Sequence, residues 1–322
     1  MIEYRTFRNT DPPQILRLWQ ECGLGRGAAQ PGGTEALELF IFSQQFFDPE
    51  GLTLACEGGR VIGFAHAGFG CSDDQSRLDR SRGVICAVMV HPDFRRLGVG
   101  AALVRKSEEY LLSRGATEMR AGPAPGWDPF FFGLYGGTRP SGFLESDPNA
   151  RPFFESLNYS AGPQHGVFQR RLGAKPDPMN LRLATIRRET ELIVVPRPLD
   201  PTWWWYTHFG RWESAGIDLL RFRLVRKNAG EPIAAVTVIG LEQYEPVWKQ
   251  RAIGLVDVSV ETSLRGQGYG QALLLGVMRR LKQELVDVAE IHSPQENETA
   301  WKVIQSAGFE QVDTGIVYVR NE

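Results

Sequence analysis

The chain has few of the residues that staple small scaffolds or hold metals. Its 322 residues include only four cysteines, Cys22, Cys56, Cys71 and Cys86, widely spaced and never as Cys-x-x-C. That disfavours a disulfide framework or a zinc site and fits a reducing cytoplasm. Charge of one sign is lacking too: 36 Lys and Arg against 38 Asp and Glu leave a formal net charge of −2. Broad nucleic-acid binding is therefore not favoured. No apolar run approaches the ~20 residues that span a bilayer, and the opening Met-Ile-Glu-Tyr-Arg has no secretory pattern. What is present, 42% hydrophobic and 23% charged residues, belongs to a soluble globular protein long enough for two domains. Cys86 lies in an apolar run and reads as a small buried side chain rather than a nucleophile.

Some of the glycines are grouped in a telling way. Gly254 to Val260 is a β-branched apolar run that reads as a buried strand. Arg265-Gly-Gln-Gly-Tyr-Gly270 follows it, and then Ala272, Leu273, Val277, Met278, Leu281 and Leu285 recur at helical spacing. The same order occurs earlier: Gly83 to Val90, Arg95-Arg-Leu-Gly-Val-Gly100, then Ala101, Leu103, Val104, Ser107, Leu111 and Leu112. The two turns lie about one domain length apart, which predicts an internal repeat. A helix start presents unshared N–H groups and a positive dipole end, and glycines let a ligand approach the backbone. Both turns are candidate diphosphate sites.

Neither turn has the Lys-Ser/Thr pair of a P-loop. Neither completes G-x-G-x-x-G, since Leu103 and Gln271 stand at the third position. Both fit Gln/Arg-x-x-Gly-x-Gly/Ala, through Arg95, Gly98 and Gly100 and through Arg265, Gly268 and Gly270. In this the chain resembles the GCN5-related N-acetyltransferases (GNAT), whose loop of that form holds the pyrophosphate of acyl-coenzyme A. Asn297, Ala300, Gly308 and Phe309 extend the resemblance. In the family segment the Asn contacts the coenzyme arm, and a Tyr often protonates the leaving thiolate. Here the Tyr position is Ile304; in the first half it is Phe154, with Asp147 at the Asn position. Loss of one general acid costs about 10²–10⁴-fold, which slows an enzyme without abolishing it.

The resemblance implies a mixed α/β fold of two tandem GNAT-like domains, each a central mixed sheet flanked by helices. They fall at 1–172 and 181–322, with the Pro-containing stretch 173–180 as linker. It implies acetyl-CoA, held in the second half by Val258, Val260, Arg265, Gly266, Gly268, Gly270, Gln271 and Asn297. In the first half the holders are Met89, Val90, Arg95, Arg96, Gly98, Gly100 and Ala101, and no metal is expected. It also implies direct acetyl transfer to the amine of a small molecule in the cytoplasm, with no nucleic-acid or membrane partner. A monomer or a homodimer fits.

The attacking amine must be neutral, so a base is needed. Asp257 is the first candidate, because an acid inside a β-branched run is costly unless paired or functional. Strand alternation puts it on one face with Ser259. Glu242 and Glu245, on the preceding loop, are further candidates. The matching position in the first half is Ala87, with His66 and His91 as titratable alternatives. That asymmetry favours the second half as the active one. Two other classes stay open: an acyl-CoA-binding protein without turnover, and a protein or peptide N-acetyltransferase.

Elsewhere, Asp11-Pro-Pro13 predicts a capped helix start, Thr34 to Phe47 a second helix, and Leu181 to Val195 a strand-rich stretch. The segment 122–145, rich in glycine and aromatics, predicts a pocket-shaping loop or an aromatic packing unit. Trp203-Trp204-Trp205 predicts tryptophans at the interface between the halves.

Overall fold

The structure, a computed structural model, describes residues 1–195, 201–210, 219–227 and 230–321. The chain runs β1 (Ile2–Thr6), α1 (Pro12–Glu21), α2 (Glu35–Leu37), β2 (Leu52–Glu57), β3 (Arg60–Cys71), β4 (Leu78–Val90), α3 (Val99–Ser113), β5 (Glu118–Ala121), β6 (Phe143–Leu144), α4 (Ala150–Glu155) and β7 (Tyr159–Arg171). It continues with α5 (Leu181–Glu189), β8 (Thr190–Val195), α6 (Trp203–Phe209), β9 (Leu219–Arg226), β10 (Pro232–Gly240), α7 (Glu245–Trp248), β11 (Ala252–Val260), α8 (Tyr269–Gln283), β12 (Val288–Pro294), α9 (Glu298–Ser306) and β13 (Glu310–Arg320). Among the described residues no helix is long and apolar enough to cross a membrane.

Contacts divide the chain into two compact units: Met1–Gln164 with Thr202–Arg211 and Gly315–Glu322, and His165–Pro201 with Trp212–Thr314. These bounds are drawn differently from 1–172 and 181–322, because β7 and β13 each give residues to both units and α6 belongs to the first.

In the first unit the strand order is β1-β2-β3-β4-β5-β13-β7, antiparallel from β1 to β4 and parallel between β4 and β5. The mixed sheet expected from the resemblance is therefore present. Helix α3 buries Leu103, Val104 and Leu111, the spaced apolar positions of its sequence. Asp11 precedes α1 but makes no side-chain cap. Its carboxylate is taken instead by the Arg5 fork, at 2.7 Å on each oxygen, and by the Arg8 amide at 2.7 Å. The helix expected over 34–47 shrinks to α2 followed by a wide turn, Glu38–Phe42.

The aromatic segment 122–145 is organised by one carboxylate. Asp128, fully buried, pairs with Arg139 at 2.8 Å and accepts from the Gly126 amide and from Trp204 Nε1, both at 3.0 Å. Trp204 thus packs within the first unit, stacked on Phe46 at 5.3 Å. Part of that tryptophan-rich stretch, 196–200 and 211–212, lies outside the described residues.

In the second unit the order is β7-β12-β11-β10-β9-β8, with β11 and β12 parallel. Helices α8 and α9 bury Leu273, Leu274, Val277, Met278, Leu281 and Ile304 in the same core as Val236, Leu255 and Ile291. The stretch from Leu181 is not all strand: α5 comes first. Asn180 caps it, its Oδ1 accepting from the Leu183 amide at 2.9 Å, and Leu183 and Ile186 are buried one turn apart. The linker is pinned as well. Asp177 takes Arg170 at 2.5 Å and Arg279 at 3.1 Å.

Candidate active site

Each unit opens its sheet at the same place. In the first, β4 pairs with β5 only from Arg82 to Ile85. On its other side the register with β3 skips between His66↔Ala87 and Ala67↔Ile85, so Cys86 is an extra residue. A bulge bends the strand and increases its local twist. From Cys86 to Val90 the strand therefore has no β5 partner. In the second unit β11 pairs with β12 only up to Leu255, and the β10 register skips between Ala235↔Ser259 and Thr237↔Val256. The bulge there includes Asp257, at φ +53°. The strand alternation read from the sequence fails at this residue for that reason.

Both glycine turns have the expected shape. Gly98 (φ +80°) and Gly268 (φ +90°) are left-handed and immediately precede α3 and α8. The motif arginines do structural work. Arg95 Nε donates to the Val90 carbonyl at 2.9 Å, and Arg265 Nε to the Val260 carbonyl at 3.2 Å. Each ties the turn back to the strand that feeds it. Arg95 also reaches the Cys22 carbonyl at 3.1 Å. Gly100 and Gly270 are packing positions: an added Cβ would come 3.0 Å from Phe153 and 3.2 Å from Val303.

The two turns differ in what lies over them. Nothing stands within 4 Å of a Cβ placed on Gly98. At Gly268 the same atom would meet Arg182 Cδ at 3.1 Å and Ile186 Cδ1 at 3.4 Å, both from α5. Beside the first turn lies a cavity of about 650 Å³. Its walls include Cys86 to Val90, Arg95, Arg96, Gly98, Gly100 and Ala101, so the first-half residues expected to hold a coenzyme line one space. Its far wall is aromatic, with Trp19, Phe131, Tyr135 and Phe143. Segment 122–145 supplies three of these, as a pocket-shaping loop would.

The second-half candidates are more dispersed. Asp257 is half-buried and acts electrostatically on Arg221, which is itself lowered chiefly by burial. Glu242 and Glu245 are exposed and sit where β10 ends and β11 begins, on the connection closed by the Leu241 amide to the Ala252 carbonyl at 3.1 Å. The glycine turn follows the opposite end of β11. Asn297 caps α9, its Oδ1 accepting from the Ala300 amide at 3.1 Å. Gln271 donates to the Ser306 carbonyl at 2.6 Å. Gly266 (φ +75°) has open space around it, and Val258 is exposed while Val260 is half-buried. Phe154 and Ile304, at the two Tyr positions, are both buried core.

One lining residue of the first cavity, Tyr135, was not singled out from the sequence. Its ring lies in the cavity wall, and the Leu144 amide donates to its hydroxyl oxygen at 3.2 Å. The thiols in that wall are held protonated: burial pushes Cys22 up to about 11 and Cys86 well above its ordinary value. An aromatic, glycine-rich loop announces a pocket but not which of its rings line it.

Known proteins resemble this chain in sequence and fold. The profile of the Acetyltransferase (GNAT) family matches residues 13–126 and 183–309. An acetyltransferase of Sodalis glossinidius (strain morsitans) is 30% identical over 118 residues, 37% of this chain and 72% of the relative. Among solved structures, a GCN5-related N-acetyltransferase from Sphaerobacter thermophilus aligns with a TM-score of 0.60 at 17% identity, over 99% of this chain and 95% of that one. A tandem GNAT protein from the clavulanic acid biosynthesis pathway aligns with a TM-score of 0.65 at 18% identity, over 99% and 98%. At those identities the structural likeness is one of fold. The profile matches both copies of the strand–turn–helix repeat, and the chain belongs to the GNAT acetyltransferase family.

Proposed function

We propose that the chain transfers acetyl from acetyl-CoA to the primary amine of a small molecule with an apolar body, in the cavity of the first unit. The observation that carries this is the edge of β4 from Cys86 to Val90, which has no β5 partner and opens into about 650 Å³ beside the uncovered turn at Gly98. The residues present suit the coenzyme. The first amides of α3 are free of helical partners and face the positive dipole end, which suits a diphosphate. The edge of β4 offers alternate N–H and C=O groups to an extended arm. When bound, acetyl-CoA supplies the activated acetyl group.

The chain's own groups do the rest. N–H groups of the open β4 edge are donors for a carbonyl oxygen on which charge develops. Tyr135 takes the place of the hydroxyl absent at Phe154. Its oxygen already accepts the Leu144 amide, which stabilises the phenolate left after a proton is given up. Direct transfer is supported by the thiols, since neither Cys22 nor Cys86 has the lowered pKa of a nucleophile. The aromatic wall favours an apolar acceptor body.

Calorimetric titration with acetyl-CoA, on the parent and on Gly98→Glu, tests the site. The variant places a charged side chain on the turn and should lose binding. Unchanged affinity would sink the assignment to the first unit. A chain that binds acetyl-CoA but acetylates none of a panel of small primary amines would be a binding protein without turnover.

A further inference from the structure

His66 is a polar side chain in an apolar part of the first unit. It is fully buried, and neither ring nitrogen has a hydrogen-bond partner. Phe130 stacks on it at 4.1 Å, and the edges of Phe47 and Phe131 close around it at 5.6 and 5.7 Å. A buried polar group is ordinarily satisfied, and an exception asks for a reason. The ring also borders a small void of about 10 Å³, lined by Trp19, Phe42, Phe64, Phe131 and aliphatic side chains, none of them charged. That is room for about one water-sized group.

The position of His66 is specific. It stands directly opposite Ala87 across β3 and β4, at the step where the register skips. Residues opposite each other share a face of the sheet. Ala87 lines the large cavity, so His66 is the next side chain along from the open strand edge. Among the described residues Trp19 and Phe131 line both spaces. They are stacked at 6.1 Å and 11°. Trp19 is fixed through its indole N–H to the Ala29 carbonyl at 2.8 Å. Phe131 is the strained member, with φ +67°. A bulky side chain in the left-handed region is a genuine outlier, and such strain collects at sites that switch or clamp.

We propose that His66 is the acceptor-side base of the first unit, and that Phe131 is the door between it and the coenzyme cavity. This rests on the reading of that cavity as the acetyl-transfer site. When Phe131 swings aside, the void joins the cavity and the acceptor's amine enters it. A His66 ring nitrogen then accepts a hydrogen bond from the amine N–H. Transfer forms one C–N bond at the acetyl carbonyl carbon and breaks its C–S bond. The nitrogen becomes cationic and sheds one proton, which His66 receives; the leaving thiolate is protonated separately. Burial alone holds the ring near a pKa of about 3 in the closed box, and admitting a polar amine relieves that burial.

The probe is benzylamine, an apolar body with one primary amine. Diethyl pyrocarbonate labelling, read by mass spectrometry on the His66 peptide, reports access. In the parent the peptide should stay unlabelled. In Phe131→Gly, which removes the ring and is at ease at that φ, it should label at least ten-fold faster. Coenzyme A with benzylamine should suppress that labelling. Phe131→Asn, which tolerates a left-handed backbone, repeats the test if the glycine variant does not fold. His66→Phe should fold, bind acetyl-CoA as the parent does, and acetylate benzylamine at least 100-fold more slowly. Labelling that benzylamine does not suppress, or a His66→Phe chain that keeps the parent's rate, overturns the proposal. Loss of acetyl-CoA binding in the parent would instead defeat the reading of the cavity itself.

Discussion

The aliphatic stem of Arg182 lies against Gly268: a Cβ on that glycine would come within 3.1 Å of Arg182 Cδ. The equivalent space at Gly98 is empty. The two copies of one motif are thus not equally available. Calorimetry with acetyl-CoA should give a stoichiometry near one. Gly268→Glu should keep the parent's affinity while lowering Tm, because the new side chain must displace α5 at a positive φ. Two sites, or a Gly268→Glu variant that loses one, would show that α5 leaves the second turn open.

Tyr135→Phe should lower kcat by about 10²–10⁴-fold, the usual worth of one general acid. The KM for acetyl-CoA should hardly change, since the ring and its packing on Phe143 remain. A kcat equal to the parent's would assign the proton to another donor.

The thiols offer a simple check on direct transfer. With Cys22 and Cys71 pushed up to about 11 and Cys86 well above the ordinary value, almost no thiolate exists at pH 8. Iodoacetamide should label the folded chain far more slowly than the unfolded chain at that pH. Rapid labelling of Cys22, which faces the cavity, would revive a cysteine nucleophile.

His66 also ties stability to pH. Its ordinary value of 6.5 falls to about 3 in the folded chain through burial. Between those values the unfolded chain binds a proton that the folded chain does not. Stability is therefore lost as pH falls through this window, with a slope approaching ~1.4 kcal/mol per pH unit. His66→Phe should remove that contribution, so its denaturant midpoint should fall less than the parent's from pH 7 to pH 5. Identical slopes would mean that His66 gains a partner on acidification.

Much of this was legible in the sequence because turns and periodicity are local. The repeat and both glycine turns follow from spacing over a few residues, and the mixed sheets from the resemblance those turns carry. The alternation read at Asp257 failed for a physical reason. The bulge that holds it at φ +53° depends on register with β10, which no local pattern encodes. His66 was visible only as a titratable alternative. Its isolation depends on Phe47, Phe130 and Phe131, which come from distant parts of the chain. Helix α5 escaped because Arg187, Arg188 and Glu189 blur its apolar face, although Asn180 marks its start.

The sequence repeat and the compact unit are not the same piece of chain. Residues 1–172 expressed alone would lack Gly315 and Ile316, which pair with β6, and Tyr318 and Val319, which pair with β5. They would also lack Trp204, whose indole satisfies the buried Asp128. Such a fragment would carry an unpaired strand edge and a buried acid short of a partner. Anyone dissecting this enzyme by truncation should therefore expect aggregation rather than a working half. Point substitutions in the full chain are the way to ask what each motif contributes.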